Sequence, residues 1–154
     1  MSILILGILI GIVAGLRSMT APAVVSWAVR LGWIHVNSTW LTFLGYSWTP
    51  WILSIASIGE LIVDKLPSTP SRKAPPSFAF RIVSGSISGA AIGISRGSLV
   101  LGIIGGAIGA VIGTLGGAAV RSSLAAKFGR DLPAALLEDA LAVVGAVLIL
   151  RVAA

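Results

Sequence analysis

The sequence predicts an all-α integral membrane protein, a compact bundle of about five transmembrane helices in one domain over residues 1–154. Three observations carry this. The 154-residue chain is 56% hydrophobic and only 10% charged, with a mean hydropathy of +1.04, too little polar surface to cover a soluble domain of this size. Long uncharged runs recur between short polar segments. Within those runs glycines recur every fourth residue, the spacing that lets helices approach closely in lipid, where little hydrophobic force acts between them.

Residues 2–16 are apolar or small and lead into Arg17-Ser18-Met19-Thr20-Ala21-Pro22-Ala23. The Ala-Pro-Ala imitates a cleavage site, but no cation precedes the apolar run, so it reads as a structural helix. Fifteen residues reach roughly 22 Å, short of a hydrocarbon core of about 30 Å. Either Arg17 snorkels to an interface, or the helix continues through a kink at Pro22 to about Val29 and holds Arg17 inside. A re-entrant segment here is a further arrangement. Trp27, Trp33, Trp40, Trp48 and Trp51 cluster with Tyr46 and His35, which predicts an interfacial connection over 30–49.

Thr49 as N-cap and Pro50 at the first helical position open a second span ending near Leu66. Pro67 and the polar stretch to Pro76 follow. Further spans are expected over 78–95, 98–120 and 134–150, with a basic connection over 121–133. Gly7, Gly11 and Gly15, then Gly85, Gly89, Gly93 and Gly97, then Gly105, Gly109, Gly113 and Gly117 form three ridges. The first, third and fourth spans should pack along them, within one chain or between subunits. Lys65, Arg72, Lys73, Arg81, Arg121, Lys127 and Arg130 fall on one side of a five-span topology, against Arg17, Arg30, Arg96 and Arg151 on the other. This bias places the N-terminus and the Pro-rich loop in the cytoplasm.

The candidate site is built from the acids. Glu60 and Asp64 share a helix face at the end of the second span, on the same side as Glu138 and Asp139 at the start of the fifth. Carboxylates inside a membrane segment persist only against protein, water or a cation. Arg17 and Arg121 are the arginines that would attract an anionic group, with Lys65 and Arg81 as further counter-ions. The bland alternative is that each acid caps or pairs at a helix end. Arg17-Ser18 recurs as Arg121-Ser122, a faint hint of an inverted repeat. With no cysteine and one histidine, thiolate metal sites are excluded, and no metal or cofactor is expected. Nucleophile-elbow, phosphate-loop and phosphotransferase signatures are absent, which argues against an enzyme. The net charge of +6 lies at helix ends and suits anionic lipid rather than nucleic acid.

At Gly15-Leu16-Arg17-Ser18-Met19-Thr20-Ala21-Pro22, at 60–72 (Glu-Leu-Ile-Val-Asp-Lys-Leu-Pro-Ser-Thr-Pro-Ser-Arg) and at 132–139 (Leu-Pro-Ala-Ala-Leu-Leu-Glu-Asp), the chain resembles a bacterial family of small integral membrane proteins, domain of unknown function 4126. The resemblance covers nearly the whole chain. It implies a multi-span inner-membrane protein and brings no activity. The expected function is a transporter or channel for a small ion or anionic solute, built as a homo-oligomer in the lipid bilayer. The alternatives are an accessory protein assembled through its glycine ridges and a lipid-binding or lipid-flipping protein.

Overall fold

A computed structural model describes residues 1–154. It is entirely helical: α1 (Ile3–Leu16), α2 (Thr20–Arg30), a 3-10 helix (Trp40–Gly45), α3 (Thr49–Val63), α4 (Pro75–Arg96), α5 (Leu99–Phe128) and α6 (Asp131–Ala153). Three helices, α4, α5 and α6, are long and apolar enough to cross a membrane, whereas α1 and α3 are apolar but shorter. The expected count of about five spans is therefore not reproduced.

The first correction concerns Pro22. No helix kinks through it. The chain breaks at Arg17-Ser18-Met19, and Pro22 falls in the first turn of α2, where its missing N–H has no intrahelical partner to lose. Direction follows from neighbours. Gly102 meets Gly7 of α1 and both Gly89 and Gly93 of α4, so the start of α1 and the end of α4 share one end of the bundle. At the other end Arg81 of α4 donates to the Gly15 carbonyl of α1 at 2.8 Å. Ser84 then donates to the Ser18 carbonyl, and the His35 N–H reaches Ser95 Oγ at 3.1 Å. The chain after Ser18 thus runs back alongside α4, making α1–α2 a helical hairpin with Arg17 at its tip.

The same end that holds Met1 holds Arg96, which donates to the carbonyls of Val152 and Ala153 near the C-terminus. Both termini therefore lie opposite the Pro-rich connection. A five-span topology puts the N-terminus beside that connection and Arg17 on the opposite side from it. The hairpin adds one reversal and changes both assignments.

The glycine ridges set how closely the central helices approach. α1 runs parallel to α5: Gly7 faces Gly102 and Gly105, Gly11 faces Gly106 and Gly109, and Gly15 faces Ala110, Gly113 and Thr114. α4 runs antiparallel to α5, with Gly85 on Gly106 and Gly89 on Gly102. A Cβ at Gly85 would sit 2.6 Å from the Gly106 carbonyl oxygen, and one at Gly105 2.7 Å from that of Leu4. At Gly11, Gly89, Gly106 and Gly109 the clash would be tighter still. These ridges are therefore occupied within the chain. Gly97 and Gly129 serve differently, ending α4 and α5 in the left-handed conformation at φ 94° and 70°, where a side chain would be strained.

Around this centre, Leu6, Ile10, Val25, Ile34, Val36, Leu41, Leu44 and Ile92 form the buried core towards the end that carries the termini. The connection over 31–48 buries aliphatic residues while Trp40, Tyr46 and Trp48 remain exposed, so it is half anchor and half core. Thr49 does not cap α3; its hydroxyl donates to the Phe43 carbonyl at 2.6 Å and Trp48 takes the N-cap position. The expected basic connection over 121–133 is mostly helical, since α5 continues to Phe128.

Gly106→Ala should lower the thermal midpoint by roughly 3–10 °C, from about 1–3 kcal/mol of overpacking. Gly116→Ala, whose added Cβ meets nothing within 4 Å, should hold or raise it, because alanine is the better helix former. Thermal unfolding of the purified variants checks the pair.

Candidate functional site

The hairpin tip has a problem that any broken helix has: α1 ends with unpaired carbonyls and α2 begins with unpaired N–H groups, both inside the protein. Two side chains from neighbouring helices resolve it. Arg81, on α4, donates through Nη1 to the carbonyls of Gly15 and Leu16 at 2.8 and 3.0 Å, a cation at a helix C-terminus. Glu60, in the last turns of α3, accepts from the N–H groups of Ser18 and Met19, both at 2.8 Å, and from Ser18 Oγ at 2.7 Å. This is a carboxylate at the N-terminus of α2. Each charge matches the sign of the helix end it meets. Thr20 and Ser57 add a buried hydroxyl pair at 2.9 Å.

Arg17 itself is wholly buried. Its Nη1 bonds Asp64 Oδ2, its Nε donates to Asp139 Oδ1 at 2.6 Å, and its Nη2 lies 3.5 Å from Glu138 Oε2. Arg121 reaches the same Asp64 oxygen at 2.6 Å and continues to Asp131 and Glu138. Lys65 closes on Asp139 at 2.5 Å. Arg72, from the Pro-rich connection, grips Glu138 with two bonds of 2.5 and 3.0 Å. Desolvating so many charges costs several kcal/mol per ion, which only dense mutual pairing offsets.

The structure thus brings together Arg17, Glu60, Asp64, Arg121, Glu138 and Asp139, the residues singled out from the sequence, and joins them to Lys65, Arg72, Arg81 and Asp131. All five acidic residues of the chain lie in this cluster, matched by Arg17, Lys65, Arg72, Arg81 and Arg121. The cluster is electroneutral, and the net charge of +6 resides outside it. Arg17 and Arg121 meet on one carboxylate, so the two arginine motifs are not the separated halves of an inverted repeat. Arg72, Asp131 and the Ser18–Met19 amides are participants that the sequence reading does not place in the site, whereas Arg81 stands among its counter-ions. Arg81 leaves a signal as the lone charge between Phe78 and Ser95.

Asp64 follows the last residue of α3. Burial disfavours its charged form, but Arg17 and Arg121 outweigh that and hold its carboxyl below the usual range. The stability it contributes is therefore full above its ordinary pKa and is lost as pH falls through the depressed value.

Two polar recesses open beside the cluster. One, of about 410 Å³, is lined by Asp64, Thr69, Ser71, Arg72, Arg121 and Asp131 among others. The second, of about 190 Å³, is lined by Ser18, Glu60, Asp64, Thr69, Ser77 and Arg81 with Val63 and Pro70. Thr69 and Pro70 separate them. A third crevice, about 270 Å³ and almost purely apolar, runs between α1, α5 and α6 and ends at Arg121 and Glu138. No group of side chains is arranged to hold a metal ion.

No protein-family model, no curated protein and no solved structure matches the chain.

Arg17→Gln, which leaves the otherwise balanced cluster with one buried negative charge in excess, should cost about 3–5 kcal/mol. Asp131→Asn, at a residue whose side chain is 57% exposed, should cost under about 1 kcal/mol. Chemical denaturation of the detergent-solubilised variants measures both, and equal costs would contradict the assigned burial.

Proposed function

We propose that the chain is an integral membrane protein of the bacterial inner membrane that carries a small ion or anionic solute through the charged cluster. The observation that supports this most is the break between α1 and α2, with a wholly buried arginine at its tip held by carboxylates from two other elements. Discontinuous helices that place charged groups and helix ends within the bundle are the usual construction of secondary-transporter sites.

The dimensions fit that setting. The uncharged part of α5, Leu99–Val120, is about 33 Å long at about 1.5 Å per residue, matching a hydrocarbon core of about 30 Å and ending at Arg121. α1 and α2, at about 21 and 17 Å, enter from the end carrying the termini and turn back before crossing. On this reading the path is open from the Pro-rich connection, through the two polar recesses, and closed beyond the cluster by the apolar core. Lys and Arg crowd the same end, which on the positive-inside rule is cytoplasmic, leaving both termini outside. The motifs that resemble the family of domain of unknown function 4126 are the segments that converge here.

A second reading is an accessory protein without transport. The saturation of every carboxylate by a cation favours it. Assembly through the glycine ridges has less support, because those glycines already meet helices of the same chain.

The native chain lacks cysteine, so single-cysteine labelling needs no background removal. Ser71→Cys and Ser122→Cys should react with a membrane-impermeant maleimide added from the cytoplasmic side, and Ser88→Cys, in the buried centre of α4, should not. In proteoliposomes, flux of small ions and organic anions should fall at least about tenfold in Glu60→Gln. Flux that is equal in wild type and variant for every solute tried would leave the accessory reading in place.

A further inference from the structure

The 190 Å³ recess has a property that ion pairing in the cluster does not use. Ser18, Arg81, Glu60 and Asp64 line it, and the Glu60 carboxylate in that wall is held by the N–H groups of Ser18 and Met19 at the start of α2 and by the Ser18 hydroxyl. Arg81 Nη2 lies 3.7 Å from the same carboxylate. Arg81 is 4% exposed, and its Nε–H has no acceptor. A buried, unsatisfied guanidinium N–H is costly, and Arg81 is part of the wall of this recess. Ser77 and Thr69 add hydroxyls at its mouth. The volume corresponds to about six waters at about 30 Å³ each, enough for a small planar oxyanion together with some of its hydration water.

From this geometry we infer a binding site for a small monocarboxylate, formate- or acetate-sized, formed by the Ser18 and Met19 amides, the Ser18 hydroxyl and Arg81, in which Glu60 is the built-in competitor. The free anion and the Glu60 carboxylate offer the same chemistry to the same donors, so they exclude one another. Because the cluster is electroneutral, the anion enters together with one proton, taken from solvent onto Glu60. Protonated, Glu60 releases the α2 N-terminus, and the incoming carboxylate restores the charge balance.

The groups facing Glu60 set the sign of this exchange. Arg81 faces it from α4, Arg17 from the hairpin tip, Asp64 from the end of its own helix and Arg72 from the connection, while Glu138 and Asp139 of α6 act through Arg17. α2 contributes no titratable side chain towards it. Losing the Glu60 charge leaves Arg81 without an opposing carboxylate, the state that favours an incoming anion. Binding should therefore strengthen as pH falls.

The site is separate from the question of transport, since binding is read on solubilised protein without a gradient. Formate and acetate are titrated calorimetrically against wild type, Glu60→Gln and Ser77→Leu at about pH 7 and about pH 5. Wild type should bind formate at least about tenfold more tightly at the lower pH. Glu60→Gln should bind formate more tightly than wild type at pH 7, by at least about tenfold, with the pH dependence gone, since one charge-assisted hydrogen-bond set is worth about 1.4 kcal/mol or more. Ser77→Leu fills the recess without touching an ion pair and should abolish binding at both pH values with unchanged elution and thermal midpoint. Absence of formate binding in wild type at low pH, or binding that survives Ser77→Leu, would overturn the site. Those two results stand even where Glu60→Gln fails to fold, and a flux assay that fails while formate binds removes transport and leaves this site intact.

Discussion

Everything at the acidic end depends on Arg17. A helix broken inside a protein has to satisfy its free backbone groups, and a buried guanidinium has to find carboxylates. Arg17 couples the two requirements. By bonding Asp64 beyond α3 and Asp139 on α6, it fixes the hairpin tip between those helices, where Ser18 and Met19 present their amides to Glu60. Remove the guanidinium and the tip loses its anchor, while Asp64 keeps Arg121 and Asp139 keeps Lys65. The arrangement is thus asymmetric: the carboxylates have reserves and the arginine is shared.

The glycine ridges are what make that tip reachable. Arg81 bonds the last carbonyls of α1 because α1 and α4 both lie against the same face of α5, backbone to backbone. Methyl groups at Gly11, Gly85, Gly89 or Gly106 would push those helices apart, and a guanidinium on a fixed stem would no longer span the gap. Gly117 shows the continuity of the two features: a Cβ there would meet the Leu16 side chain and approach Arg72 Nη1 at 3.3 Å and Glu138 Oε1 at 3.4 Å. The packing ridge of α5 therefore runs directly into the charged cluster. Close packing here determines which charges can meet.

Much of this was legible in the sequence, and the failures have physical causes. Apolar runs and period-four glycines locate α1, α4 and the start of α5 within a few residues, because both signals are local. Glu60, Asp64, Glu138 and Asp139 stood out because a carboxylate in an apolar run has few ways to exist. The reversal after Arg17 is one of three arrangements the sequence leaves open, and nothing local selects it. Residues 2–29 form an almost continuous apolar stretch with one proline, and proline permits a kink or a first turn equally; only the partners at Glu60 and Arg81, distant in sequence, decide for a break. From that open choice follow the side of the N-terminus and the grouping of Arg17. The extension of α5 through Arg121-Ser122-Ser123 was missed for a related reason. Polar residues marked the end of the apolar run, but a helix ends where its capping residue stands, and that is Gly129.

The distribution of charge bears on what the cluster can do. Its acids and bases balance, so the positive remainder is left to Lys73, Lys127 and Arg130 at the acidic end and to Arg30, Arg96 and Arg151 at the other. A balanced buried cluster resists adding or removing a single charge, since either leaves an ion uncompensated in low dielectric. It tolerates paired changes, a proton with an anion or one carboxylate for another, because the sum is preserved. Its acids share partners: Asp64 holds both Arg17 and Arg121, and Glu138 both Arg72 and Arg121. Arg72 belongs to the connection that borders the larger recess, so its hold on Glu138 ties the position of that connection to the pairing beneath it. A change of partner at Glu138 would move the connection, and a change of occupant at the α2 N-terminus would reach Glu138 through Asp64 and Arg17.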